Sequence, residues 1–371
     1  MSEKIWFRRF SKNLYSIAAL MPLIHAELTN EPRAGIMLYS FATAQAEEVY
    51  KEVSSTKVDA IFVAGGPHPS AEPKDALRFF DYVVIGEGEE TLPELIGVLG
   101  KGEDPAKVKG IAYKRDDRLK LTDPRPSVDL DLYPPFGRIL APIEISRGCP
   151  WRCAYCQTPR LCGRRMRHRS VSIISKYARR HNDIRFTSPN SLAYGSDGLT
   201  PRLDKVESLL RALSELKKPV YFGTFPSEVR PEFVSTLALE LITRFCSNRV
   251  LSIGGQSGSP TVLKAIGRGH EVGQVVVACE LCLDQGITPI VDFIFGLPME
   301  TEDDQNLTLD LTKKIIVKGG LVRAHYFTPL PGTPLAGTKS APVAHLVAAE
   351  LGKLALGGKL KGSWMARGKT F

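Results

Sequence analysis

The chain has 371 residues, with 43% hydrophobic and 24% charged residues and a formal net charge of +9. That is enough for two domains with proper cores, and the balance is that of a soluble globular protein rather than a disordered one. No apolar run approaches the length of a membrane helix, the first ten residues have no signal-peptide core, and seven cysteines, three of them within eight residues, argue against a disulfide scaffold. The cytoplasm is the expected compartment.

Residues 1–100 alternate strand and helix. Strands are expected at 5–7, 35–40, 58–64 and 82–85, and helices at 14–28, 44–53, 76–80 and 91–99. Continuous apolar strands between helices imply a parallel sheet covered on both faces. Ligands of such sheets bind at the carboxyl ends of the strands. Glycines fall at those ends: Gly65-Gly66-Pro67-His68-Pro69-Ser70 after the third strand, and Gly86-Glu87-Gly88-Glu89 after the fourth. Glycine lets backbone approach a ligand with no side chain in the way.

Residues 109–114 and 118–122 read as a hairpin turning at Asp116-Asp117. Pro124, Pro126, Pro134, Pro135 and Pro142 then mark an extended linker and a domain boundary near residue 140.

Next comes Cys149-Pro150-Trp151-Arg152-Cys153-Ala154-Tyr155-Cys156, a C-x3-C-x2-C spacing after a strand-like run and a Gly148 turn. Thiolates are soft ligands suited to iron–sulfur clusters and zinc. Three of them grip one face of a [4Fe–4S] cube and leave one iron open. The alternatives are zinc, which as a structural ion takes four ligands in paired short spacings, and unconnected thiols. Cys162 stands at an unusual x5 spacing and reads as structural or incidental. Cys246 reads as core, and Cys279 and Cys282 as buried helical thiols.

From residue 141 the alternation resumes, with strands at 142–146, 184–187, 220–223, 250–253, 290–295 and 324–328 and helices such as 205–217 and 274–285. One amphipathic helix follows, carrying Val343, Leu346, Val347, Leu351 and Leu354. The segment from Gly357 to Phe371 is expected to be loose or to line the substrate side.

The cysteine spacing resembles the radical S-adenosylmethionine (SAM) superfamily. The resemblance implies a [4Fe–4S] cluster on Cys149, Cys153 and Cys156, SAM on the open iron, and Tyr155 at the aromatic position where the chain meets adenine. It implies a partial (β/α)6 barrel with its site at the strand carboxyl ends. Two stretches extend it. Gly254-Gly255-Gln256-Ser257-Gly258, with Gly267-Arg268-Gly269-His270, resembles the fourth-strand motif of methylthiotransferases and cobalamin-dependent members, which puts Gln256 and Ser257 toward SAM. Asp292-Phe293-Ile294-Phe295-Gly296-Leu297-Pro298 resembles the fifth-strand motif, with Gly296 beside the adenosyl group, and Thr328 falls at the end of the last strand. The chain departs from the family at its second strand: Phe186-Thr187-Ser188-Pro189-Asn190 stands where a Gly-Gly-Glu-like motif that holds SAM's amino group is usual, and Ser188 and Asn190 are expected to replace some of those contacts.

The N-terminal half is similar to the cobalamin-binding domain that precedes many radical SAM domains. That similarity places Ser40, Thr43, Gly65, Gly66, His68, Gly86, Glu87 and Gly88 around cobalamin. The organisation expected is a Rossmann-like α/β domain at 1–105, hairpin and linker at 106–140, barrel at 141–335, and helix with basic tail at 336–371. Neither His25 nor His68 lies in the D-x-H-x-x-G loop that ligates cobalt from below, so cobalamin without a histidine ligand is expected. The implied activity is methyl transfer to an unactivated centre, with an external ferredoxin- or flavodoxin-type electron donor. A radical cyclase or oxidase, an RNA-modifying enzyme, and a carrier or sensor without turnover are the alternatives. The substrate stays open among a small metabolite, a lipid precursor, a peptide and RNA. Arg147, Arg152, Arg160, Arg164, Arg165, Arg167 and Arg169 crowd the cysteine loop, and Lys359, Lys361, Arg367 and Lys369 form a basic tail. With no interleaved aromatics, these read as solvated surface and cofactor-facing arginines rather than a nucleic-acid patch.

Overall fold

The structure, a computed structural model, describes residues 4–10, 12–133 and 137–365. Pro134, Pro135, Arg367 and Lys369, named above, lie outside these residues. Contacts divide the chain into two compact units: Met1–Ala141 with Arg160–Gly163 and Leu330–Gly332, and Pro142–Pro159 with Arg164–Pro329 and Thr333–Phe371.

The first unit is built on one sheet: β1 (Ile5–Arg8), β2 (Glu27–Thr29), β3 (Gly35–Ser40), β4 (Ala60–Gly65), β5 (Tyr82–Val84), β6 (Ile111–Arg115) and β7 (Arg118–Leu121), in the order 2-1-3-4-5-6-7. β1 to β5 are parallel. The strand order reverses between β1 and β3, where doubly wound sheets open their ligand crevice. Alternate residues of β3 feed opposite faces: Met37 and Tyr39 join Phe41, Phe62 and Phe80 on one side, and Ile36 and Leu38 join Phe7, Ile17 and Leu95 on the other.

Two local expectations are corrected. The helix expected to run to 28 ends at Ile24, because His25 turns left-handed (φ 52°) as its cap, and the chain re-enters the sheet as β2. The helix expected at 76–80 is instead two short helices, Pro67–Ala71 and Pro73–Ala76, each opened by a proline in its first turn.

The hairpin does turn at Asp116 and Asp117, both at positive φ, as a two-residue loop requires. It does not stand apart: β6 pairs antiparallel with β5 and extends the sheet. The proline-rich stretch beyond it is packed down rather than extended into solvent. Arg125 pairs with Glu90 and Glu94, Val128 and Leu130 are buried, and the Tyr133 hydroxyl donates to Glu90, 2.8 Å.

The second unit carries seven parallel strands in two arcs. β8 (Ile143–Glu144), β11 (Ile184–Thr187) and β12 (Val220–Tyr221) are ordered 12-11-8. β13 (Val250–Gln256), β14 (Thr288–Phe295), β15 (Leu321–Tyr326) and β16 (Leu360–Ser363) are ordered 13-14-15-16. A bridge from Val229 to Ile253 and a bond from Ser252 N–H to the Gly223 carbonyl, 2.8 Å, join the arcs. β9 (Ser146–Arg147) and β10 (Arg167–His168) form a small antiparallel pair flanking the cysteine loop. β16 replaces part of the loose segment expected after Gly357. Val291, Phe293 and Phe295 are fully buried on one face of β14, which leaves Asp292 on the other face.

Candidate functional site

The cysteine loop leaves β9 through Gly148, whose φ of 89° is a glycine conformation. It is pinned at two points. Ala154 N–H donates to the Ile266 carbonyl, 2.8 Å, and the Trp151 indole N–H donates to the Gly198 carbonyl, 3.0 Å. Cys149, Cys153 and Cys156 line one cavity together with Tyr155, Pro189, Asn190, Arg230 and Arg268, enclosing about 520 Å³ including its open mouth. Among the described residues no three His, Cys, Asp or Glu side chains are gathered closely enough to hold a metal ion. The three sulfurs share a cavity rather than a coordination sphere.

Two arginines complete the wall. Arg268 places Nη1 3.8 Å from the Cys153 sulfur and donates from Nη2 to the Gly254 carbonyl, 2.9 Å. Arg230 donates to the Arg268 carbonyl, pairs with Glu232, and lies with its guanidinium carbon 3.7 Å from the Trp151 ring centroid. His270 stays neutral, pushed down to about 3 by burial and by Arg268 and Arg230. It holds the Gly255 carbonyl through Nε2, 3.1 Å. Asn190 Nδ2, Arg230 Nη1 and Arg268 Nε are buried without a partner. Buried orphan donors are rare, and three around one thiol-lined cavity fit an anionic guest. With the soft donor set they fit an iron–sulfur cluster and a carboxylate-bearing ligand on it.

The residues expected at SAM divide. Tyr155 and Asn190 line the cavity, and Ser188 accepts from Asn190 N–H, 3.3 Å. Gln256 ends β13 at φ 68° with its amide against Gly254. Ser257 is turned away: it is fully buried against Thr308, 3.2 Å, on the helix Glu302–Val317. Gly296 (φ 81°) gives its N–H to Glu300, 2.6 Å, and Thr328 is exposed beyond β15. Arg230 and Arg268 were missed as cavity residues. Arg268 lay in the quoted glycine-rich motif, and its lone charge between two glycines was the available signal. Arg230 carried none.

In the first unit Ser40, Gly65, Gly66 and Gly86 form the carboxyl-end rim of β3, β4 and β5. A Cβ on Gly86 would meet nothing nearer than 4.0 Å, and one on Gly65 nothing nearer than 3.8 Å. A rim so bare of side chains fits a large flat cofactor laid across the strand ends. Gly66 serves its own chain instead. At φ 94° its Cβ would strike Ser40 Oγ at 2.8 Å and Phe41 N at 2.9 Å. Ser40 Oγ bonds Ser16 Oγ, 2.9 Å, and the Glu87 carboxylate accepts from Val128 N–H, 2.9 Å. Gly88 packs on Leu20. His68 is turned inward: it is 6% exposed, with Nδ1 3.3 Å from Thr43 Oγ1 and Nε2 3.0 Å from the Tyr50 hydroxyl.

Elsewhere, Arg147 forks onto Glu144, 2.9 and 2.7 Å, and Arg169 donates to the Glu144 carbonyl, 3.0 Å. These two arginines are buried, not solvated. Cys279 and Cys282 are buried on the helix Val272–Asp284, with burial pushing each thiol up to about 12.

Comparison with known proteins bears on the domains and the fold. The radical SAM superfamily profile matches residues 143–311, and the B12-binding domain profile matches residues 27–96. The chain is 27% identical over 323 residues to an uncharacterized methyltransferase of Pyrococcus horikoshii, covering 81% of this chain and 68% of that protein. It is 23% identical over 297 residues to bacteriochlorophyllide d C-12(1)-methyltransferase of Chlorobaculum tepidum, covering 79% of this chain and 63% of that one. The relatives are longer than this chain. The fold matches TsrM of Kitasatospora setae, a radical SAM methyltransferase solved with cobalamin and a [4Fe–4S] cluster, at a TM-score of 0.70 and 16% identity, over 91% of this chain and 74% of that one. Among the described residues no helix is long and apolar enough to cross a membrane.

Proposed function

The chain joins a B12-binding domain to a radical SAM domain, and on that premise we propose that it is a cobalamin-dependent radical SAM methyltransferase. The observation that carries this is the cavity where Cys149, Cys153 and Cys156 meet Asn190, Arg230 and Arg268. When bound, the cluster with SAM supplies one-electron bond cleavage and cobalamin a transferable methyl group; the protein positions and insulates them.

The chain's own residues divide that labour. Cys149, Cys153 and Cys156 hold the cluster. Arg268 sets a positive charge beside the Cys153 sulfur and ties it to β13 through Gly254. Asn190 and Arg230 offer their orphan donors to the carboxylate end of SAM. The Arg230–Trp151 stack walls one side of the cavity and keeps water from it. In the first unit, the bare rim at Gly65 and Gly86 takes the corrin. Electrons come from a ferredoxin- or flavodoxin-type partner, and the protein works in the cytoplasm.

The test is anaerobic reconstitution with iron, sulfide, cobalamin and SAM carrying a deuterated methyl, with dithionite or a reduced flavodoxin as electron donor. The wild type should release 5′-deoxyadenosine and pass the labelled methyl to a component of an extract from cells lacking the gene. Cys153→Ala should do neither. Absence of 5′-deoxyadenosine from the fully loaded wild type would end the reading.

A further inference from the structure

A second cluster of charge lies in the same unit as the cysteine cavity. Asp292 sits in the middle of β14, 4% exposed, between fully buried Val291 and Phe293. Its register partner on β15 is Arg323, and His325 stands two residues further along that strand. Arg323 Nη2 donates to Asp292 Oδ2 at 2.6 Å and to Glu228 Oε1 at 3.3 Å. His325 Nε2 lies 2.9 Å from Asp292 Oδ1. With the carboxylate accepting there, Nε2 carries a proton, and it is the neutral form of the ring that offers Nδ1 as an acceptor. The His325 side chain is half exposed.

Charged groups in the middle of a strand are costly unless paired, and this set is only partly paired off. Arg323 is shared between two carboxylates. The Glu228 carboxyl is pushed up to about 7, first by burial and then by the Asp292 charge. At the edge of the set Phe225 is 63% exposed, with the Arg323 guanidinium carbon 5.0 Å from its ring centroid. A flat apolar plate therefore adjoins Arg323, two residues before His325 on the same strand.

The cluster is linked to a residue of the cysteine cavity through the strand register. Asp292 pairs in register with Gly254 on β13. The Gly254 carbonyl is the acceptor for Arg268, whose other nitrogen faces Cys153. Gly254, Asp292 and Arg323 thus run side by side across three strands, away from the cysteines.

We propose that the Asp292–His325 pair is the substrate anchor of this barrel, receiving an N–H or O–H of a flat, aromatic-type substrate on His325 Nδ1 while Phe225 lies against the ring. Asp292 is a positioning residue: it holds the imidazole in the tautomer that leaves Nδ1 free. Arg323 and Glu228 fix Asp292 in turn. This assignment rests on the radical SAM reading only in taking the neighbouring cavity as the place of reaction.

Nitrogen-15 spectroscopy of histidine-labelled protein tests it, with indole and phenol as probes beside N-methylindole and anisole, which lack the donor. His325 should show the Nε2–H tautomer, and Asp292→Asn should mix the two tautomers. Indole and phenol should shift the His325 Nδ1 resonance, with the methylated pair about tenfold weaker, because a site built to accept a hydrogen bond rejects the analogue that lacks it. Phe225→Ala, with a thermal melt to check the fold, should weaken indole binding roughly fivefold. Equal binding of indole and N-methylindole overturns the proposal, as does an unchanged affinity in Phe225→Ala or no probe shifting His325. Failure of the wild type to cleave SAM would remove the radical reading by itself; the probe result judges the anchor either way.

Discussion

Arg268 reaches the sulfur of Cys153, 3.8 Å away, while its other terminal nitrogen is held by the Gly254 carbonyl, 2.9 Å. The guanidinium is locked from behind and its charge is delivered to one face of the thiol-lined cavity. Arg268→Met leaves a shorter, unbranched side chain and removes the charge. A bound cluster should then become harder to reduce, by tens of millivolts, since nearby charge tunes cluster potentials. A spectroscopic redox titration of both proteins checks this.

The cysteines should separate cleanly by position. Alanine at Cys149, Cys153 or Cys156 should cost most of the bound iron and all SAM cleavage. Alanine at Cys246, Cys279 or Cys282 should leave both intact. At the buried Cys279 and Cys282 a stability loss of about 1 kcal/mol is expected from the lost packing. Iron analysis and 5′-deoxyadenosine assay of the six variants decide it.

Gly65 and Gly66 should behave differently despite being neighbours. Gly66 has φ 94° and ψ −174°, a region open essentially to glycine, and an added Cβ meets Ser40 and Phe41. Gly66→Ala should destabilise the first unit by about 1–3 kcal/mol. Gly65→Ala should fold, because the new carbon meets nothing nearer than 3.8 Å, and should lower cobalamin affinity by occupying the rim. Thermal melts together with the bound corrin spectrum distinguish the two effects.

Cobalamin bound here should have neither His25 nor His68 as a ligand to cobalt. Both ring nitrogens of His68 are engaged inside the unit, and burial pulls its pKa down. His25 caps a helix. Electron paramagnetic resonance of the bound cob(II)alamin should show no histidine superhyperfine splitting. A splitting lost in His68→Ala would refute this.

Glu300 should give stability a pH dependence. Its carboxyl is pushed up to about 7, chiefly by burial, with one oxygen left without a partner. A carboxyl raised in the folded state stabilises the fold at low pH, and the contribution is lost as pH rises from about 4.5 through 7. Glu300→Gln keeps an acceptor for Gly296 N–H and removes the titration. The stability of wild type relative to this variant should therefore fall between pH 4.5 and 8, by an amount on the order of 3 kcal/mol. Urea unfolding at the two pH values measures it.

Much of this was legible in the sequence. Unbroken apolar runs gave β3 and β4, because a strand buried on both faces has no polar side to show. The cysteine spacing led to the cavity, since local spacing survives folding. What was lost depended on distant partners. Ser257 looked like a ligand residue in its motif, yet Thr308, remote in sequence, claims its hydroxyl. His68 stood in a glycine-rich loop, yet Thr43 and Tyr50 draw it inward. β2 escaped notice because a single left-handed residue, His25, ends the preceding helix inside an apolar stretch. Asp292, Arg323 and His325 did carry a signal: charged residues at alternate positions of two otherwise apolar strands, meaningful once the register sets them side by side.

The antiparallel hairpin that adds β6 and β7 to β5 bears on how the first unit can be produced alone. Five parallel strands would end at β5 with a row of unpaired amides and carbonyls, a template for other chains. β6 covers that row, and β7 presents Arg118 and Lys120, both exposed, as the new margin. A fragment stopping at residue 105 would bare β5 and strip Tyr113 from beside Tyr82, whose rings lie 6.2 Å apart. Such a fragment should self-associate, whereas one carried through residue 133, with Arg125 still clamped on Glu90 and Glu94, should remain monodisperse.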